Sequence, residues 1–505
     1  MRAIHIIKRP LSAGFLIGLI TLFIPLLRDL HWESALLSAL VVCFLSGIRS
    51  AGGISSVSVI REALALILGW FTPLLLFSAI TGCFSFHGLA FWIFVPVPSL
   101  FFGLATGRLI HKFNIPKPQF SISLILILIA LVPVLFEFLR FPQLYFFNHI
   151  WGYIPGPIYD EIVLFDSRLI AFRTISLLWI IVLWMIPSMY ESRQNLAILL
   201  LALFSLFFFY SQASDWGLIA PEQRLQQQLG AVHESEHFRV FYDPTAISPD
   251  SVNTWVDIHE IYLSEITEKL EIDKSVYQTS PIHSYLYRDA DQKKKLTGAG
   301  VTSYVPVWLE QDQMHMALDH TAGVLKHELV HVVAKQFGNT FGASKIGLVE
   351  GLAVAVAPER FRGATIDQMV AAREPYPEAD ELTSLFGFAG FYSYPGVVSY
   401  TVTGSFIKFL IDTYPVNNLK KAYETGNIPE AYKPVSMSEL TEAWHNHLNT
   451  VPVDSALIAR ADRVFSRPSI FQKPCPRVEV KNEIAYFFRE FDSHLAHLAC
   501  KSEGL

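Results

Sequence analysis

The chain has 505 residues, of which 52% are hydrophobic and only 17% charged. That balance excludes an ordinary soluble protein, in which roughly a quarter of residues are charged. The formal net charge of −6 gives polyanions no electrostatic footing, so nucleic-acid binding is not expected.

The apolar excess is concentrated in the first 210 residues, in stretches at 11–27, 35–48, 63–82, 89–106, 121–138, 169–188 and 195–210. Most approach the roughly 20 residues that cross a bilayer as a helix. Residues 1–212 therefore read as an α-helical transmembrane bundle of about seven spans, with the lipid bilayer as partner. The 35–48 stretch is short and could be re-entrant or tilted. Pro25, Pro73, Pro96 and Pro133 do not exclude helices, because neighbouring spans can satisfy freed carbonyls. No small-residue cleavage site follows the first run, which leads to Arg28-Asp29, so that span is expected to remain.

The basic loop with Arg108, His111, Lys112 and Lys117 belongs in the cytoplasm by the positive-inside rule, as do Arg2, Lys8 and Arg9. Three further crossings carry residue 211 and all that follows outside, into a periplasmic or extracellular space. Tyr145, Phe146, Phe147, Trp151 and Tyr153, with Asp160, Glu161 and Asp166, suit an outer interface. The polar run Gly156-Pro157-Ile158-Tyr159-Asp160-Glu161, with Arg168 and Arg173, is either a functional cluster or a headgroup-level one.

A juxtamembrane linker at 213–232 contains the run 222–228, which extends or caps a helix. Beyond it the pattern predicts a strand at 237–243, a helix at 250–270 and a strand at 281–288. A turn with Lys293, Lys294 and Lys295 follows and reads as a solvated face. Strands near 301–308 and 313–318 come next, and Thr302–Trp308 could take a peptide by strand addition, although Pro306 interrupts its ladder.

The chemistry is concentrated in Lys326-His327-Glu328-Leu329-Val330-His331. Two histidines four apart project from one helix face and can reach one metal ion, with Glu328 beside the open position as general base. Val324, Leu325, Leu329, Val332 and Val333 supply the apolar stripe of a helix over 322–336, with Gly338 and Asn339 as its stop. A catalytic zinc takes a third protein ligand and keeps a water. Glu350, in Leu348-Val349-Glu350-Gly351-Leu352-Ala353 on a second helix over 345–357, is the best placed candidate. His315 and His320 lie upstream; a fourth protein ligand would make the site structural, and His320 reads as a surface or outer-layer residue.

With these residues in place, 233–450 resembles the peptidase MA-like domain of the gluzincin zinc metallopeptidases. The resemblance implies an α+β fold, Zn2+ held by His327, His331 and Glu350, and Glu328 as the base. Gly351 and Ala353 complete the setting of the glutamate. It is also carried by the strands at 237–242 and 281–287 and by a helix at 399–410. Such enzymes use a tyrosine or histidine to stabilise the oxyanion; Tyr400 is the candidate here, ahead of Tyr394 and Tyr392.

Residues 451–505 are expected to form a helical cap, with helices at 454–464 and 482–500. Cys43 and Cys83 read as small hydrophobes in or beside spans, whereas Cys475 and Cys500 could pair in an oxidising space. The expected activity is zinc-dependent hydrolysis of extracytoplasmic peptides or proteins by a membrane-anchored enzyme. Two alternatives stay open: a catalytically silent peptide- or metal-binding domain that regulates the membrane part, and a transporter with an appended domain. Oligomeric state is open as well.

Overall fold

The computed structural model describes residues 2–156, 163–338, 345–357, 363–473 and 475–477, with the backbone alone for residues 2–7. The chain forms two compact units. One comprises Met1–Phe138, Leu144–Ile219 and Lys473–Leu505, and the other Leu139–Gln143 and Ala220–Gln472. The predicted helix at 482–500, Cys500 and most of the 156–161 run lie outside the described residues.

Among the described residues, six helical segments of the first unit are long and apolar enough to cross a membrane. They are Trp32–Ala51, Ser56–Thr81, Phe86–Lys112, Pro118–Arg140, Ser167–Ser188 and Arg193–Ser211. The doubtful stretch at 35–48 is thus part of a 20-residue helix. The run at 11–27 lies in the helix Arg2–Thr21, of which residues 2–7 are described by backbone alone, and the chain turns from residue 22. Glycines let these helices touch backbone to backbone. A Cβ on Gly14 would lie 2.2 Å from the Leu66 carbonyl oxygen, and one on Gly103 would lie 2.1 Å from that of Cys43.

The aromatic segment at 145–153 is buried within the first unit. It forms an antiparallel hairpin, β1 (Phe146–Asn148) and β2 (Gly152–Ile154), with Tyr145, Phe146, Phe147, Trp151 and Tyr153 all in the unit's core. Pro133 cannot donate to Ile129, and that carbonyl accepts instead from Asn148 Nδ2 at 2.8 Å. Arg173 is also buried. It donates to the carbonyls of Phe94 and Val95, each at 2.8 Å, where the third span breaks ahead of Pro96. Arg168 pairs with Asp166 at 2.6 Å.

Cysteine pairing departs from expectation. Cys475 is bonded to Cys83, so Cys83 is a cross-link and not a simple packing residue, and Cys43 is a buried free thiol among the described residues. The same stretch of tail is held at two neighbouring points. Arg28 donates to the Lys473 carbonyl, and Arg477 Nε donates to Glu33 at 2.6 Å.

The second unit is built on a four-stranded sheet in the order β3 (Ala231–Glu234), β4 (Phe238–Tyr242), β5 (Ile282–Tyr287) and β6 (Gln313–Ala317). The first pair is antiparallel and the other two parallel. Side chains alternate as strands require. Phe238, Val240, Ile282, Leu286, Met314 and Met316 enter one large core with helices Pro249–Lys269 and Leu318–Ala334. Phe241, Tyr285 and Tyr287 face the other way, onto Leu225 and Leu229 of helix Glu222–Leu229. The strand predicted at 301–308 reduces to a single bridge between Tyr304 and His315. The Lys293 turn is the helix Ala290–Thr297, and the predicted 454–464 helix is Ser455–Phe465, within this unit.

Candidate metal centre

Ala317 ends β6 and, with extended backbone, starts helix Leu318–Ala334, so the sheet delivers the motif without an intervening loop. Leu325, Leu329, Val332 and Val333 are fully buried in the core, which fixes the helix's rotation about its axis. His327 and His331 then share a face one turn apart. The glutamate helix, Ile346–Val356, packs tightly on helix Gly396–Thr413. A Cβ on Gly351 would meet main-chain atoms of Thr403 at 3.1 Å, and one on Gly404 would come within 2.4 Å of Val354 Cγ1. The small residues beside Glu350 are therefore what allows the two helices to lie this close.

This packing brings Glu350 Oε2 to 3.4 Å from His327 Nε2 and 3.5 Å from His331 Nε2. A tetrahedral zinc with ligands at about 2.0–2.1 Å separates its ligand atoms by roughly 3.3 Å, so the spacing fits the ion. Donor atoms of the three residues all lie within 4.8 Å of one another, and among the described residues no fourth His, Cys, Asp or Glu joins them. Two imidazoles and one carboxylate are the donor set of a zinc that keeps a position open to water. The upstream histidines are engaged elsewhere. His320 lies 3.6 Å from Asp319, and His315 is stacked between Tyr285 and Tyr304, each at 4.7 Å between ring centroids.

Electrostatics separate the two glutamates. Burial and then the charge of Glu350 push the Glu328 carboxyl up to about 7, against the pull of His327 and Lys293. Burial would raise Glu350 too, but His331 and His327 outweigh it and hold that carboxyl well below the usual carboxylate range. Glu350 is thus held as an anion, whereas Glu328 sits where a proton can be taken and returned near neutral pH.

Tyr400 stands one turn ahead of Gly404, with its ring centroid 6.5 Å from that of His327 and 5.1 Å from that of Phe391. Tyr394 is 42% exposed, and Tyr392 packs on Phe388 and Phe391. Two buried residues of this unit escaped the sequence reading. Tyr423 is buried edge-on to Phe337, and its phenol is pushed up by burial and then by the charge of Glu350. Lys293, expected in solvent, is fully buried, and its charge reaches Glu328. The apolar spacing of helix Val416–Thr425 could have flagged Tyr423 as buried, but nothing local points it at Glu350. No protein-family model matches the chain, and no curated protein or solved structure is significantly similar to it.

Proposed function

We propose that the chain is a multi-pass membrane zinc peptidase of gluzincin type, acting on extracytoplasmic peptides or proteins. The observation that carries this reading is the convergence of His327, His331 and Glu350 from two helices, with Glu328 alongside on the first. Those three side chains would hold the ion, which when bound supplies Lewis acidity toward a carbonyl and lowers the pKa of water. Glu328 accepts a proton from the attacking water and passes it to the departing amine. Tyr400 donates a hydrogen bond to the oxygen that gains negative charge as the carbonyl is attacked.

Two independent arguments support an outer location for residues 220–472. The basic loop at 108–117 is followed by three candidate spans, which carry the chain out of the cytoplasm. Cys83 and Cys475 are joined, so they share one side, and the four candidate spans between them satisfy that condition. A disulfide also suits an oxidising compartment.

The test uses the full-length protein in detergent with zinc supplied and a broad peptide library as substrate. The expected result is one zinc per chain and cleavage that falls about 10²–10⁴-fold in Glu328→Gln, the usual worth of a positioned acid–base group. Undiminished cleavage in that variant would remove Glu328 from the mechanism. Zinc bound without turnover by the parent protein would favour the silent binding domain.

A further inference from the structure

Glu33 stands in the first turn of helix Trp32–Ala51, 8% exposed, and its Oε1 accepts from Arg477 Nε at 2.6 Å across 444 residues of chain. Sequence proximity plays no part in the pairing. Arg477 is itself buried, and its Cζ lies 5.8 Å from the Trp32 ring centroid, within the roughly 6 Å over which a cation is drawn to an aromatic face. A carboxylate and an indole together hold one guanidinium.

The carboxylate is not used up by that pairing. Arginine–carboxylate pairs are frequently bidentate, yet Glu33 Oε2 makes no hydrogen bond, is shielded from solvent, and faces His31 Nδ1 at 3.9 Å. That ring nitrogen has no hydrogen-bond partner either, on a histidine 1% exposed. Asp29 is fully buried with both side-chain oxygens unbonded, while its carbonyl accepts from His31 N at 2.8 Å and from Ser34 Oγ at 2.7 Å. Residues 29–34 are therefore one tight turn that carries more acceptors than the described residues satisfy. Buried acceptors without donors are costly, so the surplus suits a cation that donates hydrogen bonds. The geometry does not suit a metal ion: among the described residues, the one group of three converging metal-binding side chains is His327, His331 and Glu350.

The guanidinium arrives on a strap. Arg477 follows by two residues Cys475, which is bonded to Cys83, and Arg28 donates to the Lys473 carbonyl. Its fastening can be removed without touching the turn.

We propose that the turn at 29–34, with Glu33, His31 and Trp32, is a binding site for a guanidinium cation, and that Arg477 of the chain's own tail fills it as a tethered occupant. The inference uses neither the metal centre nor the peptidase reading, and it gives the first unit a recognition role beside anchorage. An ion pair serving fold alone would not yield its arginine to a free cation. A binding site exchanges one guanidinium for another and prefers it to an ammonium, which cannot present a planar fork.

The probe is propylguanidinium, and the protein is full length in detergent. By calorimetry Arg477→Ala, whose tail stays fastened by the disulfide, should bind one equivalent, with propylammonium about tenfold weaker. The parent should bind at least about tenfold more weakly than Arg477→Ala, and adding Glu33→Gln to that variant should cost about tenfold or more, the worth of a charged hydrogen bond. A second measurement keeps the arginine. In Cys83→Ser, propylguanidinium should displace the tail and raise maleimide labelling of Cys475, read by mass spectrometry, about tenfold over the same concentration of propylammonium. The proposal is overturned if Arg477→Ala binds no propylguanidinium, if the parent binds it equally well, or if Glu33→Gln leaves the affinity unchanged. Should Arg477→Ala not fold, the labelling decides: an unchanged rate at Cys475 shows that the arginine is not exchangeable and overturns the proposal.

Discussion

Glu350 is the residue on which the centre turns, because one of its oxygens faces both imidazole nitrogens at 3.4 and 3.5 Å. Glu350→Gln keeps the shape and removes the charge. Loss of an outer-layer partner typically lowers metal affinity about 10–100-fold, so loss of a direct anionic ligand should exceed about 100-fold. Competition with a chromogenic chelator measures this, and an unchanged zinc affinity would exclude Glu350 from the ligand set. The candidate ligands were legible in sequence because the geometry of His327 and His331 is local to one helix, and Glu350 is followed by the glycine that close packing needs. Lys293 was illegible for the opposite reason. A lysine among three reads as a solvated face, and only the fold brings the carbonyls of Gly300 and Thr302 to it.

At the scale of elements, two buried histidines must stay neutral, His259 on helix Pro249–Lys269 and His315 on β6. His259 donates or accepts at Ser284 of β5 at 2.9 Å, and burial lowers its pKa to about 4. His315 of β6 is held well below its ordinary value by burial and then by Lys293. A base depressed in the folded state adds stability that is complete above its unfolded pKa of about 6.5 and is lost as pH falls toward the folded value. Thermal or urea unfolding should therefore show the second unit losing roughly 2 kcal/mol between pH 7 and 5 from His259 alone. His315 adds a loss of the same sign, and His259→Asn should flatten the profile. A midpoint that does not move over that range would contradict the assignment.

The elements themselves were read well where periodicity is strong. The strand at 281–288 and the helix at 250–270 are Ile282–Tyr287 and Pro249–Lys269. The 301–308 strand was over-read, because Pro306 cannot donate to a ladder and Lys293 satisfies carbonyls that a strand would have paired. The hairpin at 146–154 was not legible, because aromatic composition does not reveal a turn of chain that caps a carbonyl freed by proline.

At the scale of the whole molecule, the chain leaves the first unit at Ile219 and returns to it at Lys473. The return is fastened by the Cys83–Cys475 bond and the Arg477–Glu33 ion pair. A protease site engineered between Phe465 and Lys473 should, once cut, leave the tail fragment attached to the remainder on non-reducing gels and release it only with thiol. Early release would mean the cross-link is not formed in the native protein. Cys83→Ser should also cost a few kcal/mol, about 2–4 for a typical cross-link.

The covalent stop at Cys475 has a mechanical corollary. A pull on the chain at Cys475 is borne by the bond to Cys83 as well as by the main chain, so load is taken up within the first unit and does not fall on the connection to Gln472 alone.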